Sequence, residues 1–377
     1  MIYLDNAAST RVDDAVIARM AEVMRADYGN PSAAHPFGAA ARRRIATARG
    51  QVLAALGDPD GAAGELVWTS GGTEGNALAV LGAARAAGPG PVVVSALEHP
   101  AVAASVALLG AGWPVRVAPV TADGVVDVAA TAALIDPATR VLAVMRVSNE
   151  LGTVQPIAAL AAAARARAPG CHVHCDATQA LGKVPLDVGA LDVDSLGVAG
   201  HKLHGPKGSG ALWLRHGRAL APLWGGGGQQ GGRRPGTQDA PGAAGLGLAT
   251  ERAIAAMPEA TARWLGFAET LHAAAAASGV PWRSLAPGPR APHVVSLAFA
   301  QVSADALREV MASRGVIVSS GSACATPGAK PSGSLAAIGL PATWGMVRLS
   351  FGLDTQAAEV AAAATILRDV VRDLAGA

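Results

Sequence analysis

Residues 195–214 read SLGVAGHKLHGPKGSGALWL, two apolar runs on either side of a polar turn. The runs are Ser195–Val198 and Ala211–Leu214, and the turn between them holds His201, Lys202 and several glycines. Short apolar runs bounded by Gly and Pro are typical of buried strands. The stretch therefore predicts two strands, with chemically active side chains at the point where the first one ends.

Five further runs of this kind precede that stretch and alternate with Ala-rich helical sequence from about Gly38 onward. They are Glu65–Thr69, Val92–Ser95, Val115–Ala118, Val141–Val147 and His172–Asp176. Alternating strands and helices form mostly parallel sheets that are covered on both faces. We therefore predict an α/β fold whose large domain, residues 14–250, contains a mostly parallel seven-stranded sheet. Ligands of such sheets bind beyond the carboxyl ends of the strands.

The pattern changes after a cluster of glycines at residues 225–232. Helical sequence at about Gly242–Ala277 is followed by strand, helix, strand, strand and helix patterns at His293–Phe299, Ala304–Ser313, Val316–Ser319, Met346–Ser350 and Thr355–Leu374. Residues 1–13 and 251–377 are predicted to form a smaller α+β domain. Within it, Ser319–Ser334 is rich in Ser, Gly and Pro and is predicted to be a loop.

The amino-acid composition argues against several classes of protein. The 377 residues suffice for two domains, and 30 Lys+Arg against 28 Asp+Glu leave a formal charge of +2. So balanced a charge argues against direct binding of nucleic acid or of an anionic membrane. Three cysteines are too few, and odd in number, for a disulfide framework. Asp5 stands where a signal peptide would be basic, and the longest uncharged apolar run, Ala101–Trp113, is too short to span a bilayer. We therefore expect a cytoplasmic protein.

Lys202 has two interpretations on the sequence alone. A lysine after a strand is most often a solvated surface residue, but a strand end with tight glycine turns also suits a lysine that forms a Schiff base with pyridoxal phosphate. That cofactor needs a carboxylate at its pyridine nitrogen. Asp176 is the candidate, because an unpaired acid after the apolar run His172–Cys175 would be costly to bury. Asp176 could equally be a helix N-cap.

The turn Thr69–Glu74, TSGGTE, is predicted to join a strand to a helix. Its glycines, Gly72 among them, would let the backbone approach a phosphate, while Thr73 and the helix N-terminus would offer hydrogen-bond donors. His99 follows a strand that ends at the same edge of the sheet. Both features also have a purely structural interpretation, because glycine-rich turns are common and a lone histidine is usually a hydrogen-bonded loop residue.

Ten motifs follow one another between residue 4 and about residue 352. They are Leu4–Thr10, Gly29–Ser32 with His35, Thr69–Glu74, Glu98-His99, Ser148–Gly152, His174–Gln179, Gly200–Lys202, Arg234 with Gly236-Thr237, Ser319–Cys324 and Arg348–Ser350. In order and spacing they resemble the cysteine desulfurases, the NifS/IscS-like group of class V pyridoxal-phosphate enzymes. The resemblance implies the fold-type I transferase fold and conversion of L-cysteine to L-alanine, with the sulfur captured as an enzyme persulfide.

The resemblance also implies a role for each cofactor-binding residue. Lys202 would hold pyridoxal phosphate and move the substrate Cα proton, and Asp176 would keep the pyridinium protonated. His99 would stack on the ring, while Asn149 and Gln179 would hydrogen-bond its phenolic oxygen. The residues implied at the phosphate are Gly72, Thr73, His201 and, from a second subunit, Thr237. The last of these implies a homodimer.

Two further implied roles concern the substrate, L-cysteine. Arg348, helped by Asn30 and Asn149, would grip the substrate carboxylate in the bidentate geometry that arginine provides. Cys324 would attack the substrate sulfur as a thiolate and pass the sulfur to an acceptor protein. Taken alone, Cys324 could also be a bystander thiol. The acceptor stays open, with iron–sulfur assembly, tRNA or DNA thiolation and natural-product synthesis as alternatives.

Other features bear on these predictions. In Cys171–Cys175 (CHVHC), strand alternation places the cysteines on one face and the histidines on the other, which favours structural burial over a metal site. Ala199 stands where the family usually has a phosphate-binding serine, a hydrogen bond worth roughly 0.5–1.5 kcal/mol. Two alternatives stay open beside the desulfurase. One is a different pyridoxal-phosphate lyase that does not need Cys324, such as a selenocysteine lyase or cysteine β-lyase. The other is a scaffold that lost the cofactor, which Ala199 and Gly231 motivate.

Overall fold

The structure is a computed structural model that describes residues 1–320 and 333–376. Its strands are β1 (Ile2–Tyr3), β2 (Gly64–Thr69), β3 (Val92–Ser95), β4 (Val115–Ala118), β5 (Val141–Met145), β6 (His172–Asp176), β7 (Ser195–Ala199), β8 (Gly210–Arg215), β9 (Trp282–Ser284), β10 (Val294–Ala300), β11 (Val316–Ile317) and β12 (Trp344–Ser350). Its helices are α1 (Asp14–Ala26), α2 (Pro36–Ala55), α3 (Gly72–Ala87), α4 (Pro100–Val106), α5 (Val128–Leu134), α6 (Ile157–Arg167), α7 (Val188–Leu191), α8 (Ala240–Ala277), α9 (Ala304–Ser313), α10 (Gly333–Ala337) and α11 (Ala357–Ala375).

Strands β2 to β8 form one seven-stranded sheet in the order β2-β8-β7-β6-β5-β3-β4. Strand β8 runs antiparallel to both of its neighbours, and the other four pairs are parallel. The predicted mostly parallel seven-stranded sheet is therefore confirmed. Because β2 to β7 point the same way, their carboxyl ends meet at a single edge of the sheet.

The sheet is apolar on both faces, as its continuous Val, Leu and Ala runs predict. In β5, Leu142 and Val144 pack into the cluster that contains α1, α2, α6 and the start of α8. Val141 and Ala143 pack into the opposite cluster, with α3 and α4. These helices leave the carboxyl edge of the sheet uncovered for a ligand.

A second, antiparallel sheet follows the order β12-β10-β9, and β11 pairs with β1 from the N-terminus. The sequence patterns missed β1 and β9, which are only two and three residues long. Helix α8 joins the two cores, since its residues up to Ala253 pack with the large sheet and those from Ala260 pack with the second. The domain bounds 14–250 and 251–377 stay a prediction.

Several predicted segments differ from the structure by one or two residues at an end; β5, for example, ends at Met145 and not at Val147. The predicted strand Val316–Ser319 ends at Ile317, while Ser319 pairs with β12 through an isolated bridge. The predicted loop Ser319–Ser334 is too long, because Gly333 and Ser334 begin α10, whose Leu335 packs in an apolar cluster. Residues 321–332, with Cys324 among them, lie outside the described residues. No helix in the described ranges is both long and apolar enough to cross a membrane.

Candidate active site

A cleft of about 630 Å³ opens at the carboxyl edge of the large sheet. That volume suits a small-molecule ligand. Most of the predicted site residues line it, namely Gly72, Thr73, His99, Asn149, Asp176, Gln179, His201, Lys202 and Arg348. The geometry thus brings together side chains that lie up to 276 positions apart in the sequence, from Gly72 to Arg348.

Lys202 ends a short 3-10 turn, Gly200–Lys202, directly after β7. Its Nζ donates hydrogen bonds to the carbonyl oxygens of Ala7 (2.7 Å) and Ala8 (2.8 Å), in the loop that follows β1. Burial and the nearby Arg348 guanidinium lower the pKa of Lys202 to about 8. A substantial fraction of Lys202 is therefore the uncharged, nucleophilic amine near neutral pH.

Asp176 is the last residue of β6 and is 5% exposed. Its Oδ1 accepts a hydrogen bond from the backbone N–H of Thr178 (2.9 Å), and its Oδ2 accepts one from Nδ2 of Asn76 (2.7 Å). With these partners, the only ones among the described residues, each carboxylate oxygen keeps a lone pair for a ligand. Sequence reasoning missed Asn76, although its position one turn into α3 after the glycine turn places it at this edge.

The glycine turn before α3 has the form expected of a phosphate site. Gly71 adopts φ 151°, which glycine tolerates, and the N-terminus of the 16-residue helix opens into the cleft beside Thr73. Arg234 holds the turn in place through two hydrogen bonds to the Glu74 carboxylate (2.8 and 3.3 Å). The buried Oγ1 of Thr178 finds no hydrogen-bond partner within the described residues, and a Cβ at position 72 would lie 2.8 Å from it.

His99 caps α4, since its Nδ1 accepts a hydrogen bond from the backbone N–H of Ala101 (3.0 Å). In the neutral ring the proton therefore sits on Nε2. Desolvation lowers the pKa of His99. At the preceding residue, burial raises the pKa of Glu98 to about 8, and Oε1 of Glu98 accepts hydrogen bonds from Ser95 Oγ (2.5 Å) and Met145 N (2.8 Å). Both side chains are thus mostly uncharged at neutral pH.

Arg348, on β12, is 2% exposed. Its Nη2 forms an ion pair with Asp5 (2.8 Å), and its Nη1 donates to the backbone carbonyl of Asn149 (2.7 Å). Its Nε finds no hydrogen-bond partner in the described part of the chain. Asp5 and Asn149 thus hold the two terminal nitrogens of the guanidinium, and its other N–H groups can bind a carboxylate ligand.

Two buried bases, Lys183 and His293, contact the Gln179 side chain. Sequence reasoning did not single them out. Oε1 of Gln179 lies 3.4 Å from Lys183 Nζ and 3.4 Å from His293 Nε2, and Nε2 of Gln179 donates to the Ala7 carbonyl (2.8 Å). Because a backbone carbonyl only accepts, the bond to Ala7 fixes which end of the Gln179 amide carries the N–H groups. Within the described residues, the second N–H of Gln179 stays available for a ligand acceptor.

Lys183 is expected to make stability depend on pH. Burial lowers its pKa from 10.5 to about 7, so between these pH values the unfolded chain binds more protons and the free energy of unfolding rises with pH. We expect Lys183→Met to be more stable than the wild type at pH 7, by an advantage that shrinks by on the order of 4 kcal/mol towards pH 10.5. Urea unfolding of both apoproteins at several pH values measures it. A difference that stays constant with pH would contradict it.

Two of the predicted residues, Asn30 and Thr237, do not line the cleft. Asn30 is exposed, and its Oδ1 accepts a hydrogen bond from the backbone N–H of Ser32 (2.9 Å). Thr237 is exposed in the loop before α8, and Cys324 lies outside the described residues. Their roles stay predictions.

The residues at the cleft fit pyridoxal phosphate. The helix N-terminus and the Thr178 hydroxyl, which has no hydrogen-bond partner within the described residues, suit a phosphate. Lys202 suits an aldehyde, and the Asp176 carboxylate can accept from a protonated ring nitrogen. The CHVHC segment does not compete as a metal site. Cys171 and Cys175 pack in the core, and within residues 1–320 and 333–376 no cluster of His, Cys, Asp and Glu could hold a metal ion.

A mostly parallel sheet carries the glycine turn and Lys202 at one edge, and this arrangement fits an α/β enzyme with an aldehyde-bearing phosphate cofactor. A sequence model of the family described as aminotransferase class-V matches residues 2–362, and the chain belongs to that family.

Similar proteins that match over nearly the whole chain point to one activity within this family. A cysteine desulfurase of Gluconacetobacter diazotrophicus is 37% identical, covering 99% of this chain and 94% of the relative. A cysteine desulfurase of Rhodobacter capsulatus is 38% identical, covering 99% of this chain and 97% of the relative. A solved structure titled NIFS-LIKE PROTEIN has a TM-score of 0.90 at 29% identity, covering 99% of this chain and 100% of that one. The predicted family and fold class are confirmed, and that family implies pyridoxal phosphate.

Proposed function

We propose that this protein is a cysteine desulfurase that converts L-cysteine to L-alanine and retains the sulfur as a persulfide on Cys324. The observation that carries the proposal is the meeting of Lys202 and Asp176 in one cleft with the phosphate turn of α3. The full-length cysteine desulfurase relatives support the choice of substrate.

Pyridoxal phosphate, when bound, supplies an aldehyde that reacts with amines and a ring that withdraws electrons from the carbon bearing the amino group. The residues that would hold its phosphate are Gly72, Thr73, His201 and, from a second subunit, Thr237. Asp176 would accept a hydrogen bond from the ring nitrogen. Gln179 and Asn149 would donate to its phenolic oxygen.

Lys202 would hold the cofactor and, once displaced from it by the substrate, move the proton of the substrate Cα. Its lowered pKa, about 8, suits both tasks because the amine must be uncharged to accept that proton. His99 presents Nε2–H from a fixed ring, since its Nδ1 is held by the α4 N-terminus. His99 would assist proton transfer.

Sulfur transfer balances without an external oxidant. The carbon–sulfur bond of L-cysteine breaks, a sulfur–sulfur bond to Cys324 forms, and the carbon gains the proton that completes alanine. A thiolate is the nucleophile that this step requires. Burial raises the pKa of Cys171 to about 12 and raises that of Cys175 as well. Of the three cysteines, Cys324 is therefore assigned the transfer.

The function is tested by loading the purified protein with pyridoxal phosphate and adding L-cysteine without reductant. Alanine released together with one added sulfur atom on the Cys324 peptide supports the desulfurase. Bound cofactor with pyruvate or hydrogen sulfide as products, and an unmodified Cys324, would instead identify another lyase on the same fold. A protein that takes up no cofactor would be a scaffold.

Arg348→Lys is expected to weaken L-cysteine binding selectively. Lysine keeps the charge but loses the planar, bidentate pairing with a carboxylate, so we expect KM for L-cysteine to rise roughly 10-fold or more with a smaller change in kcat. Steady-state alanine formation measures both constants.

The matched control is Arg283→Lys, since Arg283 lies over Trp344 and not at the cleft. We expect it to leave KM within about twofold of the wild-type value, as is usual for a substitution away from the substrate. An Arg348→Lys variant with an unchanged KM would show that another group holds the carboxylate.

We also propose that the protein is cytoplasmic and forms a homodimer, in which the exposed Thr237 would complete the phosphate site of the second copy. The physiological acceptor would be a protein that accepts a persulfide sulfur. Light scattering of the purified protein tests the dimer.

A further inference from the structure

Behind Asp176 runs a line of buried polar side chains that leads away from the cleft into the sheet. From Asp176 it passes to Asn76 (2.7 Å), then to His174 Nε2 (3.0 Å from Asn76 Oδ1), to Ser195 Oγ (2.9 Å from His174 Nδ1) and to His172 Nε2 (2.8 Å). All five side chains belong to residues that are at most 5% exposed. The sequence pattern assigned both histidines only to structural burial.

The hydrogen bonds of this line share one direction. The Asp176 carboxylate only accepts, so the Asn76 amide donates to it and presents its oxygen to His174. His174 must then carry its proton on Nε2 and accept at Nδ1, from the Ser195 hydroxyl. Ser195 in turn accepts from Nε2–H of His172. Four donors therefore point towards the carboxylate one after another.

The histidines can keep this arrangement because they are uncharged. Burial lowers the pKa of His172 to about 4 and that of His174 to about 3. A neutral ring has one donor and one acceptor nitrogen, which is what each link needs. Hydrogen bonds aligned in a medium of low dielectric constant polarise one another, so each link strengthens the next.

The surrounding backbone makes room for the line. A Cβ at Gly197, the β7 residue paired with Asp176, would lie 2.4 Å from Asn76 Oδ1. Strand alternation puts His172 and His174 on one face of β6, next to Ser195 on β7. The line is thus built from two adjacent strands and the first turn of α3.

We propose that His172, Ser195, His174 and Asn76 form a relay of positioning residues that tunes Asp176 for the ring nitrogen of the cofactor, an inference that rests on the proposed function. Asn76 orients the carboxylate, and the three residues behind it orient and polarise Asn76. The two Asp176 oxygens are each fixed by one donor, from Asn76 and from the Thr178 backbone, which leaves lone pairs for the ring N–H.

The test compares two ligands of the apoprotein, pyridoxal phosphate and its 1-deaza analogue, whose ring has carbon in place of nitrogen. Equilibrium dialysis gives both dissociation constants for the wild type, His174→Leu, His174→Gln and Ser195→Ala. For His174→Leu we expect the dissociation constant of pyridoxal phosphate to rise roughly tenfold while that of the analogue changes less than twofold. Ser195 lies one hydrogen bond further from Asp176, so Ser195→Ala should raise the dissociation constant of pyridoxal phosphate by less.

Two controls separate tuning from folding. Glutamine at position 174 retains one donor and one acceptor, so His174→Gln should bind both ligands almost as the wild type does. Thr250→Val removes another buried hydroxyl, which bonds to the Leu246 carbonyl (2.8 Å) within α8, and should change neither constant. If His174→Leu does not fold, Gly197→Ala takes its place in the comparison, because the added Cβ would displace the Asn76 amide.

The outcomes are distinct. A selective loss of pyridoxal phosphate binding supports the relay. An equal loss of both ligands, or no loss in any variant, overturns it while leaving the proposed function intact. A wild-type protein that binds neither ligand overturns the relay and the proposed function together.

Discussion

Replacing Lys202 with alanine is expected to lower alanine formation from L-cysteine by about 10³-fold or more. The variant loses both the amine that holds the cofactor and the base for the substrate Cα, and a positioned base alone contributes about 10²–10⁴-fold. Saturating cofactor should not restore the rate, because proton transfer has no replacement for this amine. Single-turnover alanine formation by the loaded variant measures the loss.

The competing amine is Lys183, whose pKa is lowered to about 7 but which lies buried behind Gln179. Borohydride reduction of the loaded wild type, followed by peptide mass mapping, should place the cofactor mass on Lys202. Lys207→Ala removes a lysine from the rim of the same cleft and should keep the rate within about threefold, as surface substitutions usually do. Cofactor mass on Lys183 would reverse the assignment.

The sequence predicted the large sheet well because its strands are buried on both faces. Continuous apolar runs such as Val92–Ser95 and His172–Asp176 stand out between glycines and acidic residues, and the structure has the same bounds. The short strands β1 and β9 could not be found in this way. Each depends on a partner distant in sequence, as the pairing of Ile2 with Val316 illustrates.

The candidate site shows the same limit. Lys202 and Asp176 were predictable because each directly follows an apolar strand. Asn76 was not, since its contact with Asp176 spans 100 positions and depends on the direction of α3. The ion pair of Arg348 with Asp5 spans 343 positions and depends on a bridge between the N-terminal segment and β12. Residues that act through another side chain are recognised only when the fold is known.

The second large effect is expected at Cys324, the cysteine that we assign to sulfur transfer. Cys324→Ser is expected to lower persulfide formation and alanine release by about 10²-fold or more, with pyridoxal phosphate binding unchanged. A serine hydroxyl is far less acidic than a thiol and a poor nucleophile towards sulfur, so the carbon–sulfur bond has no acceptor. Alanine release and mass mapping of the loaded variant measure the loss.

The matched control is Cys171→Ala, which removes a thiol of the core that is fully buried and whose pKa is raised to about 12. It should keep full sulfur transfer and lose only some stability, because truncating a small buried side chain costs packing and not reactivity. If Cys324→Ser instead releases alanine at the wild-type rate, sulfur must leave without an enzyme persulfide. The protein would then be a lyase of the same family, and the Lys202→Ala prediction would stand unchanged, because the amine is needed in either reaction.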